Sequence, residues 1–320
     1  MKRSIFRFAL SVLSIYLCAT AAFARELIPV GRVIGLELSA GTVTVAAFDD
    51  SLGAGRDSGL RIGDRIVAID GIAIRCAEDV RDALRRSDGR VDMRVSRQGR
   101  ETVISLEPEI TDSGPKLGIY LKQGITGIGT VTYYDPETSQ FGTLGHGVND
   151  GKGSLLPMAR GNVYGASIVS VQKGKAGAPG QLKGALSSDR VLGALSSNTA
   201  RGVFGTVTEE FPGEPMEVAA AEEVRAGSAT IRSTVSGDTP REYSVEILKI
   251  YPKDRPDGRN LLIRVTDPAL LETTGGIIQG MSGSPIIQDG KLIGAVTHVL
   301  VNDPTRGYGI FIENMLEAAG

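Results

Sequence analysis

Alternating apolar and polar residues divide the chain into two stretches with different patterns. Residues 32–108 contain several β-branched or alternating runs and one helical run, residues 78–86, in which Val80, Ala83 and Leu84 share a face. After residue 117, short strands punctuated by glycine follow one another with little helix between them, as in a barrel or sandwich. The pattern therefore predicts a mainly β protein. The strands predicted in the first stretch are 32–38, 41–48, 64–69, 91–96 and 102–106.

The N-terminus differs from both stretches, because basic residues precede an apolar run, residues 8–24, that ends in Ala22-Phe23-Ala24. A positive start, an apolar run and a small-x-small site are typical of a secretory signal peptide. The run is shorter than the roughly 20 residues of a membrane-spanning helix. We therefore expect residues 1–24 to direct export and to be cleaved, with a retained membrane anchor as the alternative.

Composition excludes several classes of partner. The net charge is -2, and no cluster of Lys and Arg is interleaved with aromatic residues, so nucleic acid is not an expected partner. Removal of residues 1–24 would leave Cys76 as the single cysteine, which excludes an intramolecular disulfide and favours a packed side chain. No His and Cys residues stand at metal-ligand spacing, so neither metal nor cofactor is expected.

Residues 58–71 read Ser-Gly-Leu-Arg-Ile-Gly-Asp-Arg-Ile-Val-Ala-Ile-Asp-Gly, which resembles the core of PDZ domains. The resemblance implies a PDZ domain at residues 32–108 that adds a peptide to a sheet edge and captures its carboxylate with backbone amides. Gly35 precedes an apolar alternation, so the predicted peptide-binding residues are Ile34, Gly35, Leu36 and Leu38. Its ligand would be a partner or the chain's own N-terminal segment. The alternative is a domain that only packs against its neighbour.

Residues 280–285 read Gly-Met-Ser-Gly-Ser-Pro, which has the spacing of the nucleophile loop of trypsin-like serine peptidases. Glycines allow a tight turn that exposes a serine, and the amides of Gly280 and Ser282 would form the oxyanion hole. A glycine-rich turn between two strands has the same composition and is the alternative.

A serine nucleophile needs a neighbouring base. The chain has two histidines, and His146 is the predicted base because it lies between glycines and precedes the serine, the order found in trypsin-like enzymes. His298 would then be structural or line a pocket. A Ser-Lys arrangement with Lys249 or Lys291 is a further alternative.

The third catalytic group would be a carboxylate that orients the histidine. Asp267 lies at a predicted strand end before a proline, where it would be held rigidly, and Asp150 and Asp189 compete with it. A solvated turn at Asp267 is the structural alternative.

Four segments together resemble the stage IV sporulation protein B signalling peptidases. They are Gly-His-Gly at His146, Val-Thr-Asp-Pro at Asp267, the Ser282 loop with its preceding residues, and the long run at residues 294–313. The resemblance implies a PDZ domain followed by a trypsin-like double β-barrel at residues 112–320, with a triad of His146, Asp267 and Ser282.

The resemblance also implies a biological role. Members are secreted by the forespore into the space between the two spore membranes. They cleave themselves and cut the regulator of a membrane-embedded metalloprotease that releases a mother-cell sigma factor. Met281 departs from trypsin-like enzymes, because it replaces the aspartate that holds a new N-terminus during zymogen activation. The alternative from another class is a non-catalytic PDZ scaffold with a peptidase-like body.

Overall fold

A computed structural model describes residues 25–151 and 153–320, so the predicted signal peptide, residues 1–24, lies outside the described residues. The fold is mainly β, as predicted, with twenty strands and four helices in the described ranges. No helix within them is long and apolar enough to cross a membrane. The strands are β1 (Glu26–Pro29), β2 (Val33–Phe48), β3 (Arg65–Ile69), β4 (Ile72–Ala73), β5 (Val91–Arg97), β6 (Arg100–Leu106), β7 (Glu109–Thr111), β8 (Gly114–Lys116), β9 (Ile119–Asp135), β10 (Gln140–Thr143), β11 (Arg160–Gln172), β12 (Gln181–Thr199), β13 (Gly202–Val207), β14 (Met216–Glu217), β15 (Gly227–Ser233), β16 (Arg241–Ile250), β17 (Leu261–Val265), β18 (Pro285–Gln288), β19 (Lys291–Leu300) and β20 (Asp303–Phe311). The helices are α1 (Ala54–Asp57), α2 (Ala77–Arg86), α3 (Pro268–Thr274) and α4 (Ile312–Ala319), with a 3₁₀ turn at Ala221–Glu223.

The first barrel is a ring of six antiparallel strands in the order β9, β10, β13, β12, β11, β2. Pairing of β2 with β9 closes the ring. Alternate residues of β2 point inward, and Ile34, Leu36 and Leu38 pack in one buried cluster with Val131 and Phe141. Closure removes the sheet edges that an open arrangement would expose.

The second barrel is built from the contiguous strands β15 to β20 in the order β15, β16, β17, β20, β19, β18. Its interior is aliphatic, and Ile231, Val245, Ile263, Ile286 and Val296 belong to one buried cluster. Helices α3 and α4 flank this barrel, so the predicted double β-barrel is confirmed.

A third domain is inserted between the two long strands of the first barrel. Beyond Ser39, strand β2 continues, and its pairing with β9 jumps from Ser39 opposite Gly124 to Thr44 opposite Lys122. The extra residues form a bulge that contains Gly41 at φ 67°, a conformation that glycine adopts without steric cost. After the bulge, Val43 and Val45 pack in a separate cluster with α2, β3, β5 and β6. The bulge therefore marks the point where one strand leaves the barrel and enters the inserted domain.

This insertion divides the chain differently from the prediction, in which a PDZ domain at residues 32–108 is followed by a peptidase domain at residues 112–320. Residues 33–39 pair with β9 and β11 of the first barrel, whereas the inserted cluster extends to Leu117, with Ile119 and Leu121 packed against it. The prediction assumed that each domain occupies one continuous segment. Strand pairing over a long sequence separation, which no local pattern encodes, decides otherwise.

The predicted PDZ peptide-binding edge must also be corrected. Ile34, Gly35, Leu36 and Leu38 pair with β9 on one side and with β11 on the other, and Leu38 is 1% exposed. A peptide can be added only to a strand whose backbone groups are free on one side. The segment is therefore a central strand of the first barrel and has no edge for a ligand.

Candidate active site

Ser282 lies where the nucleophile loop of the second barrel meets the first barrel. Thr130 of β9 donates from its amide to the Ser282 carbonyl (3.1 Å) and from its hydroxyl to the Gly280 carbonyl (2.9 Å). Gly283, at φ 95°, approaches so closely that an added Cβ would lie 2.0 Å from the Thr130 carbonyl oxygen. The loop therefore needs glycine at this position, and the contact between the barrels holds Ser282 in place.

The half-buried Ser282 hydroxyl donates a hydrogen bond to the Thr297 carbonyl oxygen at 2.7 Å. Thr297 lies on β19 and directly precedes His298. In this arrangement the hydroxyl proton is held by a backbone carbonyl, so attack requires rotation of the Ser282 side chain toward a base.

The loop amides divide into bonded and free donors. Met281 donates to Ile278, Gly283 to Val296 and Ser284 to Met281, at 2.8 to 3.1 Å. Within the described part of the chain, the amides of Gly280 and Ser282 donate no hydrogen bond. These two amides are the ones predicted for the oxyanion hole, which needs donors that the fold leaves available.

His146 follows β10 of the first barrel, after two residues with positive φ, Leu144 (68°) and Gly145 (67°). A buried leucine rarely adopts this conformation, and the packing of Leu144 in the barrel core holds it there. The His146 Nδ1 lies 2.9 Å from the Gly147 carbonyl oxygen. If Nδ1 carries the proton and donates it, Nε2 of the neutral ring is the acceptor.

Burial lowers the pKa of His146 because it penalises the charged imidazolium, and the Gly147 contact opposes the shift. A lowered pKa keeps the ring neutral near pH 7. The neutral form is the one that can accept a proton from serine.

His298 lies beside His146, which the sequence did not predict. The two ring centroids are 5.2 Å apart with a 41° tilt. The His298 Nδ1 is buried and has no hydrogen-bond partner among the described residues. Burial, then the charges of His146 and Arg259, lower its pKa to about 4, so it is neutral where peptidases usually act. In the sequence, the position of His298 directly after Thr297, on a strand that follows the serine loop, was the one indication that it lies near the site. Spacing alone does not reveal a ring contact between the barrels.

Asp267 is the N-cap of α3. One of its carboxylate oxygens accepts from the Leu270 amide at 2.9 Å and the other from the Ser244 amide at 3.4 Å. The described hydrogen bonds do not join it to His146, whose Nδ1 contacts Gly147. Its assignment as the orienting acid stays a prediction.

The two competing acids are Asp150 and Asp189. The Asp150 carboxylate accepts from the Ser154 amide at 3.0 Å within its own loop. The side chain of Asp189 lies outside the described residues. Neither observation provides a carboxylate for His146.

The two lysines proposed as alternative bases are engaged elsewhere. Lys291 Nζ lies 2.7 Å from both Glu217 and Glu223, and hydrogen bonds to these carboxylates raise its pKa. A raised pKa keeps the ammonium protonated and unable to take the proton of serine. Lys249 Nζ lies over the Tyr251 ring, 4.9 Å from its centroid. These contacts do not involve Ser282.

No group of three or more His, Cys, Asp or Glu residues in the described ranges could hold a metal ion. Cys76 precedes α2 and is half-buried, and burial raises the pKa of its thiol. A thiol with a raised pKa is a poor nucleophile. This environment suits a packed side chain.

Two six-stranded barrels that bring a serine from one and a histidine from the other to their interface define a trypsin-like serine peptidase. The family model for the SpoIVB peptidase S55 matches residues 114–316, and a PDZ domain model matches residues 53–97. The chain therefore belongs to the SpoIVB peptidase S55 family. It is a serine endopeptidase with a PDZ domain, which indicates protein or peptide substrates.

Solved structures similar to this chain include the Rv3671c protease. Its inactive form is 16% identical, with a TM-score of 0.34 over 61% of this chain and 85% of that one. The active form, from M. tuberculosis, is 16% identical, with a TM-score of 0.36 over 62% of this chain and 75% of that one.

Proposed function

We propose that Ser282 is the nucleophile and that His146 is the general base of peptide-bond hydrolysis. The observation that carries this proposal is the meeting of the Ser282 loop, His146 and His298 at the contact between the barrels. Rotation of the Ser282 hydroxyl away from Thr297 would present its proton to the neutral His146. The imidazolium then returns the proton to the leaving amine.

The amides of Gly280 and Ser282 bind the oxyanion in this proposal, because they are free to donate and follow the turn of the loop. Asp267 is proposed as the acid that stabilises the imidazolium, on the family resemblance. To do so, its carboxylate would exchange the α3 cap for a contact with His146. The steps use no metal and no cofactor.

The PDZ domain is proposed to bind peptide at the part of β9 that lies within it, Ile119–Lys122. This segment pairs with β2 on one side and has no strand partner on its other side among the described residues. Ile119 and Leu121 pack against the cluster that contains Val80 and Leu84 of α2, and the proposed peptide groove lies between this strand and the helix. Leu117-Gly118 directly precedes the strand and suits the loop that captures a terminal carboxylate.

The proposed biological role is that of an exported sporulation signalling peptidase. It would act between the forespore and mother-cell membranes, cleave itself, and cleave the regulator of a membrane-embedded metalloprotease, which triggers sigma-factor processing. Membership of the family supports this role, and an apolar N-terminal run supports export. The peptide ligand of the PDZ domain is proposed to be the chain's own N-terminal segment or the regulator.

The test is hydrolysis of an unstructured peptide and self-cleavage by the wild type, Ser282→Ala and His146→Ala. We expect each substitution to lower kcat by several orders of magnitude, because only the roughly 10³ to 10⁴-fold acceleration over water from the oxyanion hole and binding would remain. Near-normal turnover of Ser282→Ala would exclude Ser282 as the nucleophile, whereas absence of turnover in the wild type would favour a scaffold role. Turnover that survives loss of His146 and disappears in Lys249→Ala or Lys291→Ala would establish a Ser-Lys mechanism.

A further inference from the structure

A cavity of about 500 Å³ lies between the PDZ domain and the first barrel. From the PDZ side it is lined by Arg75, Cys76 and Glu78, which surround the start of α2. From the barrel side it is lined by Glu37, Arg160 and Tyr164, among others. The proposed catalytic steps use none of these residues.

The cavity begins where the proposed peptide groove ends. Gln123 follows Lys122 on β9, its side-chain oxygen accepts from the first amide of α2 (Ala77, 2.7 Å), and it also lines the cavity. A peptide whose carboxylate is captured near Leu117-Gly118 runs along the edge of Ile119–Lys122 away from that loop. At about 3.3 Å per residue, roughly four or five residues fill this edge, and the residues upstream of them reach the cavity.

The acidic side chains that line the cavity already have partners. Glu37 accepts from the Tyr164 hydroxyl at 2.8 Å and from the Asn162 amide at 3.3 Å. Glu78 forms an ion pair with Arg81 at 2.6 Å. Glu37 uses its Oε2 and Glu78 its Oε1 in these contacts, so each carboxylate already has a partner within the chain.

The basic side chains of the cavity differ. Arg75 and Arg160 are both exposed, and neither guanidinium forms an ion pair or hydrogen bond with any residue that the structure describes. The Asp79 carboxylate accepts from the backbone amides of Arg75 and Cys76, and these hydrogen bonds, more than the charge of Arg75, lower its pKa. A guanidinium presents five donors and binds carboxylates in a bidentate manner. Arg75 and Arg160, one from each domain, line the same cavity.

We propose that this cavity binds an acidic segment of the peptide that occupies the PDZ groove, with Arg75 and Arg160 binding its carboxylates. The proposal rests on the PDZ groove described under the proposed function and adds a second recognition site upstream of it. Because Arg160 belongs to β11 of the first barrel, the bound peptide would contact the peptidase as well as the PDZ domain. Ligands would then be selected by acidic residues about five to eight positions before their carboxyl terminus.

The test uses the full chain with Ser282→Ala, so that no probe is cleaved. One fluorescein-labelled peptide of roughly ten residues ends in a free valine and carries glutamates five to eight positions upstream, and its partner carries glutamines there. Binding is measured by fluorescence anisotropy. We expect the glutamate peptide to bind about tenfold more tightly, since charge-assisted hydrogen bonds are stronger than neutral ones.

Arg75→Gln with Arg160→Gln should remove that advantage and leave binding of the glutamine peptide unchanged. The matched control, Arg94→Gln with Arg100→Gln, removes two positive charges of the PDZ sheet outside the cavity and should keep the advantage. Equal affinity of the protein with an unchanged cavity for both peptides would overturn the cavity proposal but not the groove. The same holds if the cavity variant still binds the glutamate peptide more tightly. No binding of either peptide overturns both the groove and the cavity site. A separate control restores Ser282 in the cavity variant and measures hydrolysis of an unstructured peptide. This rate tests the catalytic proposal alone and should equal that of the wild type.

Discussion

The two barrels have the same number of strands but are assembled from the chain in different ways. The second barrel uses the continuous stretch from Gly227 to Phe311, in which most sequence neighbours pair as hairpins. The first barrel is interrupted after Ser39 by the PDZ domain and resumes at Gly124. The hairpins of the second barrel can therefore be predicted from sequence, whereas the first barrel depends on pairing between strands on either side of the inserted domain.

The difference also separates the parts of the site. The second barrel supplies Ser282 and His298 and carries Asp267, the proposed acid, whereas the first supplies His146 and the Thr130 contacts that hold the nucleophile loop. The PDZ domain continues directly from two strands of the first barrel. Thr130 lies on one of these strands, β9, and His146 follows β10, which pairs with β9.

The largest expected effect concerns the acid of the second barrel. Asp267→Asn should lower kcat by about 10⁴-fold if this residue orients His146, through the wrong histidine tautomer. Asparagine can still accept from the Leu270 amide as the N-cap but has no second oxygen for the Ser244 amide, so thermal stability should fall only slightly, whereas Asp267→Ala should also lose about 1 kcal/mol of folding free energy. If Asp267→Asn keeps full activity and Asp150→Asn or Asp189→Asn loses activity, the acid is misassigned.

The contact between the barrels is tested by Gly283→Ala. Its Cβ would lie 2.0 Å from the Thr130 carbonyl oxygen, so we expect a loss of roughly 2–4 kcal/mol in folding free energy and about 10²-fold in kcat/KM. Gly290→Ala is the matched control: its φ is also positive (76°), but nothing lies within 4 Å of its added Cβ. Denaturant unfolding and peptidase assays of both variants measure the difference. Equal effects would mean that backbone conformation, and not the contact, is responsible.

A smaller effect is expected at the ring contact between His146 and His298. His298→Ala should lower kcat/KM by roughly three- to tenfold, because a ring pair contributes about 0.5–1.5 kcal/mol beyond its buried area. His298→Phe retains a ring at this position and should recover most of the loss. A phenylalanine variant as impaired as the alanine one would show that an imidazole nitrogen, and not packing, is needed.

The smallest effect concerns pH. Because burial lowers the pKa of His146, the acidic limb of kcat/KM should have its midpoint below the usual value of about 6.5. His298 binds protons more readily in the unfolded chain than in the folded one, so folding stability should fall as pH drops from about 6.5 toward about 4. His298→Phe should flatten this slope, as measured by urea unfolding at several pH values. An unchanged slope would contradict the lowered pKa.

Local patterns were sufficient for much of the protein. Helix α2 follows from the spacing of Val80, Ala83 and Leu84, and its observed bounds, Ala77–Arg86, differ from the prediction by one residue. The nucleophile loop was recognised because its chemistry requires glycines and serine at adjacent positions, and Ser282 lies at the contact between the barrels. Such features depend on neighbours within a few residues, and these are visible in a sequence.

The sequence by itself therefore determined which local features the protein has: a β-rich chain, a PDZ core, a glycine-rich serine loop and a histidine between glycines. The tertiary structure alone decided how distant segments meet. It placed Ile34–Leu38 inside the first barrel, because β9 and β11 occupy both of its edges. Among the described residues, Ile119–Lys122 has a strand partner on one side only. The tertiary structure also brought His298 to His146 and engaged Asp267 as a helix cap. Alternation tells which residues of a strand face inward, but the identity of its neighbours depends on pairing between segments far apart in the chain.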